Sequence, residues 1–225
     1  MAEPLERPRR LARAAISVVA ERGMRALTHR AVDDAAGLPP GTASYHFSGR
    51  RDLVRAMLEE IAAVSRRRLE LGPPRPAAPT SSPSTRAEQL AVVDQIVAVC
   101  ADFIQGQLTA YRSHTLARYA CEVEVAAHPE LVQILHAADE FHLLAADACR
   151  ALAVADPEAA GHHLLAFVDG IVHDRLLGVG SLSPGSPAEH SQAAAAAIRA
   201  YLVGLLSDTR PSAGRGHVLR QHPDA

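Results

Sequence analysis

Residues 27–53 read LTHRAVDDAAGLPPGTASYHFSGRRDL, and this stretch decides the fold. Thr28 suits the N-cap of a helix, because its hydroxyl can accept from an N–H one turn on. Ala31, Val32, Ala35 and Ala36 recur at the spacing of successive helical turns and place small apolar groups on one face. Gly37 follows the last periodic residue, where a left-handed C-cap excludes a Cβ. Leu38 can then fold back on the helix. Pro40 suits the first turn of a new helix, since its missing N–H costs nothing there. The helix predicted from Pro40 to Phe47 has about two turns and cannot stand alone. Ala43 and Phe47 give it an inner side, and Thr42, Ser44, Tyr45 and His46 a polar outer one. Two short helices joined by a tight turn, the second polar on its outer side, suit the major groove of DNA.

The stretch resembles the DNA-binding segment of TetR-family transcriptional regulators, whose usual pattern is LT..IA..AGVS.GTLY.HF.SK..L. Leu27, Thr28, Ala36, Gly37, Gly41, Thr42, His46, Phe47 and Leu53 stand at matching places. Arg50 stands where the family usually has lysine. The match spans about residues 9–60. It implies that the start of the second helix and all of the third face DNA, which gives roles to Thr28, His29, Arg30, Pro40, Gly41, Thr42, Ser44, Tyr45, His46 and Arg50. Arg30 carries the donor fork that fits guanine O6 and N7. Tyr45 can offer its ring to a thymine methyl or its hydroxyl to a phosphate, while His46 and Arg50 are expected to anchor phosphates. Two positions depart from the pattern. Pro39 replaces the usual Ser cap of the third helix, which leaves N–H groups expected to face a phosphate. Ser44 replaces the usual Tyr, with Tyr45 next to it.

Composition fits this reading. The chain has 225 residues, 48% of them hydrophobic, enough for a sizeable core and too apolar for a disordered chain. Its net charge of −2 hides an asymmetry: residues 1–71 carry 13 arginines and 9 acidic residues, a balance of +4, and the remainder is acidic. A basic head on an acidic body suits a protein that meets DNA at one end. Lys, Asn and Trp are absent, which points to a GC-rich, bacterial genome. Cys100, Cys121 and Cys149 are odd in number and widely spaced, so reduced thiols are expected rather than a disulfide frame or a zinc site. Residues 1–13 are polar and Arg-rich, unlike a signal peptide, and no apolar run reaches membrane-spanning length. A cytoplasmic protein with no membrane association is expected.

Alternating β-branched runs are lacking, so an all-α fold of about nine helices is predicted. The first helix, Arg9 to Arg22, buries Leu11, Ala14, Ala15, Val18 and Val19. A long helix follows from Ser48, as its N-cap, to about Leu71. Residues 72–85 read GPPRPAAPTSSPST and form an expected mobile loop. Further helices are predicted over about 86–109, 111–127, 129–154, 157–177 and 187–206. The expected organisation is a helix-turn-helix domain over 1–52, a helical body over 53–206 and a disordered tail over 207–225.

By resemblance, the body binds a small, mostly apolar effector within helices 86–177. Phe103, Gln107, His114, Arg118, Tyr119, Phe141, His142 and Phe167 are the candidate ligand residues. The resemblance also implies a homodimer through helices 157–177 and 187–206, suited to a palindromic operator. Leu164, Leu165, Val168, Ile171, Val172, Leu176, Ile198, Tyr201, Leu202 and Leu205 would supply its apolar surface, or else the core of one chain. A repressor released from its operator by the ligand is the expected function. The alternative is an all-helical metal-dependent hydrolase built on His162, His163, Asp169, His173 and Asp174. Ligands at matching spacing are missing for it, so neither metal nor catalytic residues are expected. The chain also lacks a nucleophile–base motif, phosphate loop or dinucleotide fingerprint, so no cofactor is expected.

Overall fold

The computed structural model describes residues 6–71, 83, 85–136 and 141–207. The arm at 1–5, the expected loop at 72–85 apart from Pro83 and Thr85, and the tail beyond Ser207 lie outside the described residues. Ten α-helices follow in order: α1 Glu6–Arg22, α2 His29–Ala36, α3 Thr42–His46, α4 Arg50–Leu71, α5 Arg86–Leu108, α6 Arg112–Val125, α7 Pro129–His136, α8 Phe141–Ala151, α9 Pro157–Leu176 and α10 Pro187–Ser207. Short 3-10 turns occupy Met24–Ala26 and Val179–Leu182. The fold is all-α, as its sequence predicts.

Local signals set most helix ends. The Thr85 hydroxyl accepts from the Glu88 N–H while the Glu88 carboxylate accepts from the Thr85 N–H, a complete capping box for α5. Asp156 accepts from the Ala159 N–H at 3.0 Å and caps α9. Of the helix expected over 129–154, residues 129–136 and 141–151 are described as helix, and the two parts serve different cores: Leu131 packs into the first, Cys149 and Leu152 into the second. One boundary differs from expectation. α4 begins at Arg50, because the Gly49 carbonyl accepts the first helical bond from the Leu53 N–H (3.2 Å), while the expected cap Ser48 donates its own N–H to the Asp52 carboxylate (3.1 Å).

Two apolar cores result. The first joins Leu11, Ala15, Ile16 and Val19 of α1 to Val32 and Ala36 of α2, Ala43 of α3, and Leu53, Met57, Leu58 and Ile61 of α4. It continues into Ala117, Cys121 and Val125 of α6. The head's core therefore runs past residue 52, along α4 and onto α6. The second core gathers Val93, Ile96 and Ile104 of α5, Leu164, Val168 and Val172 of α9, and Ile198 and Leu202 of α10. Gly161 sits where α9 crosses α8; a Cβ there would lie 2.5 Å from the Ala146 nitrogen, so the crossing requires glycine.

The second core corrects one expectation. Leu164, Val168, Val172, Leu176, Ile198 and Leu202 are buried within a single chain and do not form an outward surface. The exposed positions of α9 and α10 include small residues, Ala166 and Gly170 on α9 and Ala193, Ala196, Ala197, Ala200 and Gly204 on α10, interspersed with His162, His163 and Phe167 of α9 and Arg199 of α10.

The three cysteines are free thiols. Burial pushes Cys100 and Cys121 up to about 12 and Cys149 up to about 11, which keeps them protonated and unreactive near neutral pH.

Candidate nucleic-acid interface

The first of the paired helices, α2, is built as its sequence reads. Thr28 accepts from the Ala31 N–H at 3.1 Å. Gly37 closes the helix at φ 61°, ψ 41°, in the left-handed region, and its N–H bonds to the Asp34 carbonyl (3.1 Å) while the Leu38 N–H bonds to that of Asp33 (3.0 Å). This is a Schellman closure, and it turns the chain sharply toward α3.

α3 is shorter than expected. It starts at Thr42 rather than Pro40, with Gly41 before it at φ 91°. That φ disfavours any residue with a Cβ. Pro39 leaves the helix without a cap of its own, but its first N–H groups do not stay free for a phosphate. Asp33, on the inner face of α2, accepts from the Gly41 N–H at 2.8 Å and from the Ala43 N–H at 2.7 Å. The Thr42 N–H and hydroxyl both donate to the Pro39 carbonyl, at 3.2 and 2.6 Å. Asp33 is 1% exposed, so its carboxylate acts as a cap supplied from the neighbouring helix. This overturns the expectation that the missing Ser would open an anion site. The available signal was an acidic residue beside Val32 on the apolar face of α2, combined with proline at the cap position.

With Ala43 and Phe47 buried in the first core, the opposite side of α3 faces outward. Ser44 and Tyr45 are exposed, Tyr45 to 86%, with its ring edge-on to His46 at 5.1 Å. Thr28, Arg30, Pro40 and Gly41 are also exposed, while Thr42 and His46 are half-buried. His29 differs: its Nε2–H donates to the Phe47 carbonyl at 2.8 Å, tying the start of α2 to the end of α3.

Arg50 is redirected. Its guanidinium donates to the carbonyls of Leu27 and Met24, both at 2.8 Å, and to the Glu124 carboxylate on α6 at 3.0 and 3.1 Å. The side chain expected to anchor a phosphate instead latches the head to the body. Arg51 adds an ion pair to Glu130 on α7.

The candidate ligand residues fall into separate groups. Phe103 and Phe141 meet edge to face at 5.0 Å. Gln107 accepts from the Arg68 guanidinium at 2.9 Å, and that guanidinium lies 4.4 Å from the Phe103 ring. Arg118 and Tyr119 form a second group with Asp169: Arg118 donates to it at 2.5 Å and to Glu122 at 2.7 Å, and the Tyr119 hydroxyl donates to it at 3.0 Å. Burial, reinforced by the Asp169 carboxylate, pushes the Tyr119 phenol up and keeps it a donor. Phe167 stands apart against Tyr201, 5.6 Å away, and His142 follows Phe141 at the start of α8. Of the eight, His114, beside Tyr111, lines a cavity of about 470 Å³ between α1, α4 and α6.

The His/Asp cluster of the hydrolase alternative does not assemble. Asp169 is held by Arg118 and Tyr119, Asp174 accepts from the Gly180 N–H at 3.1 Å, and His173 packs against the Tyr119 ring. Among the described residues no three His, Cys, Asp or Glu side chains converge as a metal site. No described helix is long and apolar enough to cross a membrane.

A short helix presented outward by a helix-turn-helix head, on a body of packed helices, defines the class: a helix-turn-helix DNA-binding regulator. The comparisons supply the family. Residues 11–57 match the model for bacterial regulatory proteins of the tetR family, and residues 91–208 match the tetracyclin repressor-like C-terminal domain. The chain belongs to the TetR family of transcriptional regulators. Similar solved structures include the multidrug binding protein EbrR complexed with proflavin (23% identity, 88% of this chain and 99% of that one, TM-score 0.56). A TetR-family member from Streptomyces coelicolor A3 aligns at 23% identity over 89% of this chain and 98% of its own, TM-score 0.61. A transcriptional regulator from Rhodococcus sp. Rha1 aligns at 22% identity over 89% and 96%, TM-score 0.63. No curated protein sequence matches the chain.

Proposed function

We propose that this chain is a homodimeric repressor that reads a palindromic operator through paired α3 helices and is released by a small molecule held in its body. The observation that carries the reading is α3: a five-residue helix, fixed from behind by Asp33, Ala43 and Phe47, with Ser44 and Tyr45 turned outward. Arg30 and Tyr45 read base edges, and Thr28, Thr42 and His46 touch phosphates. The head extends from residue 1 to about 52, and the body from there to 206.

Two-fold operators require two heads at fixed spacing. The exposed small-residue faces of α9 and α10 support close packing of a second copy, giving a four-helix interface. A ligand-responsive body is supported by the neighbour EbrR, a multidrug binding protein solved with proflavin and with ethidium. A ligand acts by binding differently to the DNA-competent and the released arrangement.

The test is footprinting and gel shift on DNA upstream of the chain's own gene, repeated across a salt series. A protected, two-fold symmetric site is expected, with affinity falling steeply as salt rises. Binding no stronger than to random DNA would refute the reading. Sedimentation of the free protein tests the dimer, and Ala197→Glu is expected to yield monomer.

A further inference from the structure

The cavity of about 470 Å³ between α1, α4 and α6 lies within the usual size of small-molecule sites. Ile16 and Val64 give it an apolar wall, and Arg13, Arg67 and Arg68 contribute cations to its lining. Its carboxylate is Glu60, which is already committed. Glu60 is 5% exposed and accepts from Arg13 at 2.7 Å and from Arg9 at 3.4 Å.

Nothing similar neutralises the arginines at the other end. Arg68 donates to the Gln107 side-chain oxygen at 2.9 Å and to the Phe103 carbonyl at 3.0 Å. Its guanidinium lies 4.4 Å from the Phe103 ring and 4.6 Å from the Tyr111 ring. Every one of these partners is neutral, and burial pulls Arg68 below its ordinary range. Arg67, beside it in the lining, has no ion pair among the described residues. Arg67 is exposed, but Arg68 is part-buried, and a cation there without a counter-charge is costly unless something supplies one. Bulk solvent does so poorly in a recess with an apolar wall. Ser17, Ser113 and His114 add polar groups to the same lining.

We propose that this cavity binds a small organic anion, a carboxylate or phosphate monoester with an apolar or aromatic portion. The charged group sits against Arg67 and Arg68, and the apolar portion lies on Ile16 and Val64. The site is distinct from the Phe103–Phe141 and Arg118–Asp169 groups, and its ligand is the opposite of a neutral apolar effector. It also bridges head and body. α1 lines it with Arg13, Ile16 and Ser17 and packs Leu11, Ala15 and Val19 into the same core as Ala43 of α3 and Phe47 just after it. The binding proposal stands independently of the repressor reading.

The test is calorimetric titration of the full chain, without DNA, using benzoate, phenyl phosphate and inorganic phosphate, with benzamide as the uncharged control. Benzoate or phenyl phosphate is expected to bind saturably, with Kd in the low-millimolar range or tighter. Benzamide is expected to bind at least about tenfold more weakly, given charge-assisted bonds to arginine. Inorganic phosphate, lacking the apolar portion, should bind more weakly than phenyl phosphate. Arg67→Gln, at an exposed position, should keep the helical circular dichroism signal and weaken the anion several-fold. Ser113→Asp, which brings a carboxylate into the lining, should abolish binding. No saturable binding of any of the three anions would overturn the proposal. So would equal binding of benzoate and benzamide, or anion affinity unchanged in both variants.

Discussion

Replacing Asp33 with alanine removes the acceptor for the Gly41 and Ala43 N–H groups, now bonded at 2.8 and 2.7 Å. Ala43 is fully buried, so its N–H cannot turn to water without opening the helix pair. A hydrogen bond to a charged group contributes about 1.5–3 kcal/mol, and loss of a helix N-cap costs about 0.5–2 kcal/mol. Gly41 is exposed and can recover a bond to solvent. The net expectation for Asp33→Ala is therefore a loss of about 2–3 kcal/mol, a large part of a typical domain's stability. An opposing effect exists, since deleting a negative charge near DNA phosphates favours binding. It is the smaller one, because the carboxylate is buried and its charge is already met by two N–H donors. The assay is urea unfolding followed by circular dichroism, paired with gel shift at a temperature where the variant is fully folded. DNA affinity should fall further than the folded fraction explains, because five residues of helix do not hold their own geometry. An Asp33→Ala variant within about 0.5 kcal/mol of wild type, at the noise of ordinary surface substitutions, would refute the reasoning.

Other substitutions separate structure from recognition. Arg50→Ala should lower stability by about 1–2 kcal/mol through its carbonyl bonds while leaving the salt dependence of DNA binding unchanged. Arg30→Ala should leave unfolding unchanged and cost about 1–3 kcal/mol of discrimination at one base pair, read by competition gel shift. Gly161→Ala drives a methyl to within 2.5–2.7 Å of the Ala145–Ala146 backbone and should destabilise by about 1–3 kcal/mol in thermal unfolding. His114 is lowered from its ordinary value, first by burial and then by Arg13, with Glu60 opposing. The unfolded chain therefore binds the extra proton more readily, so this group's contribution to stability is present above about pH 6.5 and shrinks as pH falls below it. His114→Gln should flatten that part of the stability–pH profile.

The limits of the sequence follow from how far apart the interacting groups lie. Thr28, Gly37 and Asp156 act within a few residues of themselves, and their caps could be read directly. Asp33 acts across a turn, eight and ten residues on, and an aspartate in a short helix reads locally as ordinary polar surface. Arg50 shows the same limit at longer range. Its partners lie 23, 26 and 74 residues away, so the resemblance, which places a basic side chain at this position, does not show where that side chain is held. For α9 and α10 the obstacle is different. Apolar residues on nearly every side satisfy both a chain's own core and an interface, and periodicity does not divide them. Packing does: Leu164, Val168, Val172, Ile198 and Leu202 turn inward, while Ala166, Gly170, Ala193, Ala196, Ala197 and Ala200 remain outside. A second helix approaches most closely over side chains of that size, so under the proposed dimer these exposed small residues are where another copy would fit. The same logic applies at Arg68. Nothing in its own helix shows that this cation is, once folded, enclosed by two rings, an amide oxygen and a carbonyl, and only the folded arrangement reveals the missing negative charge.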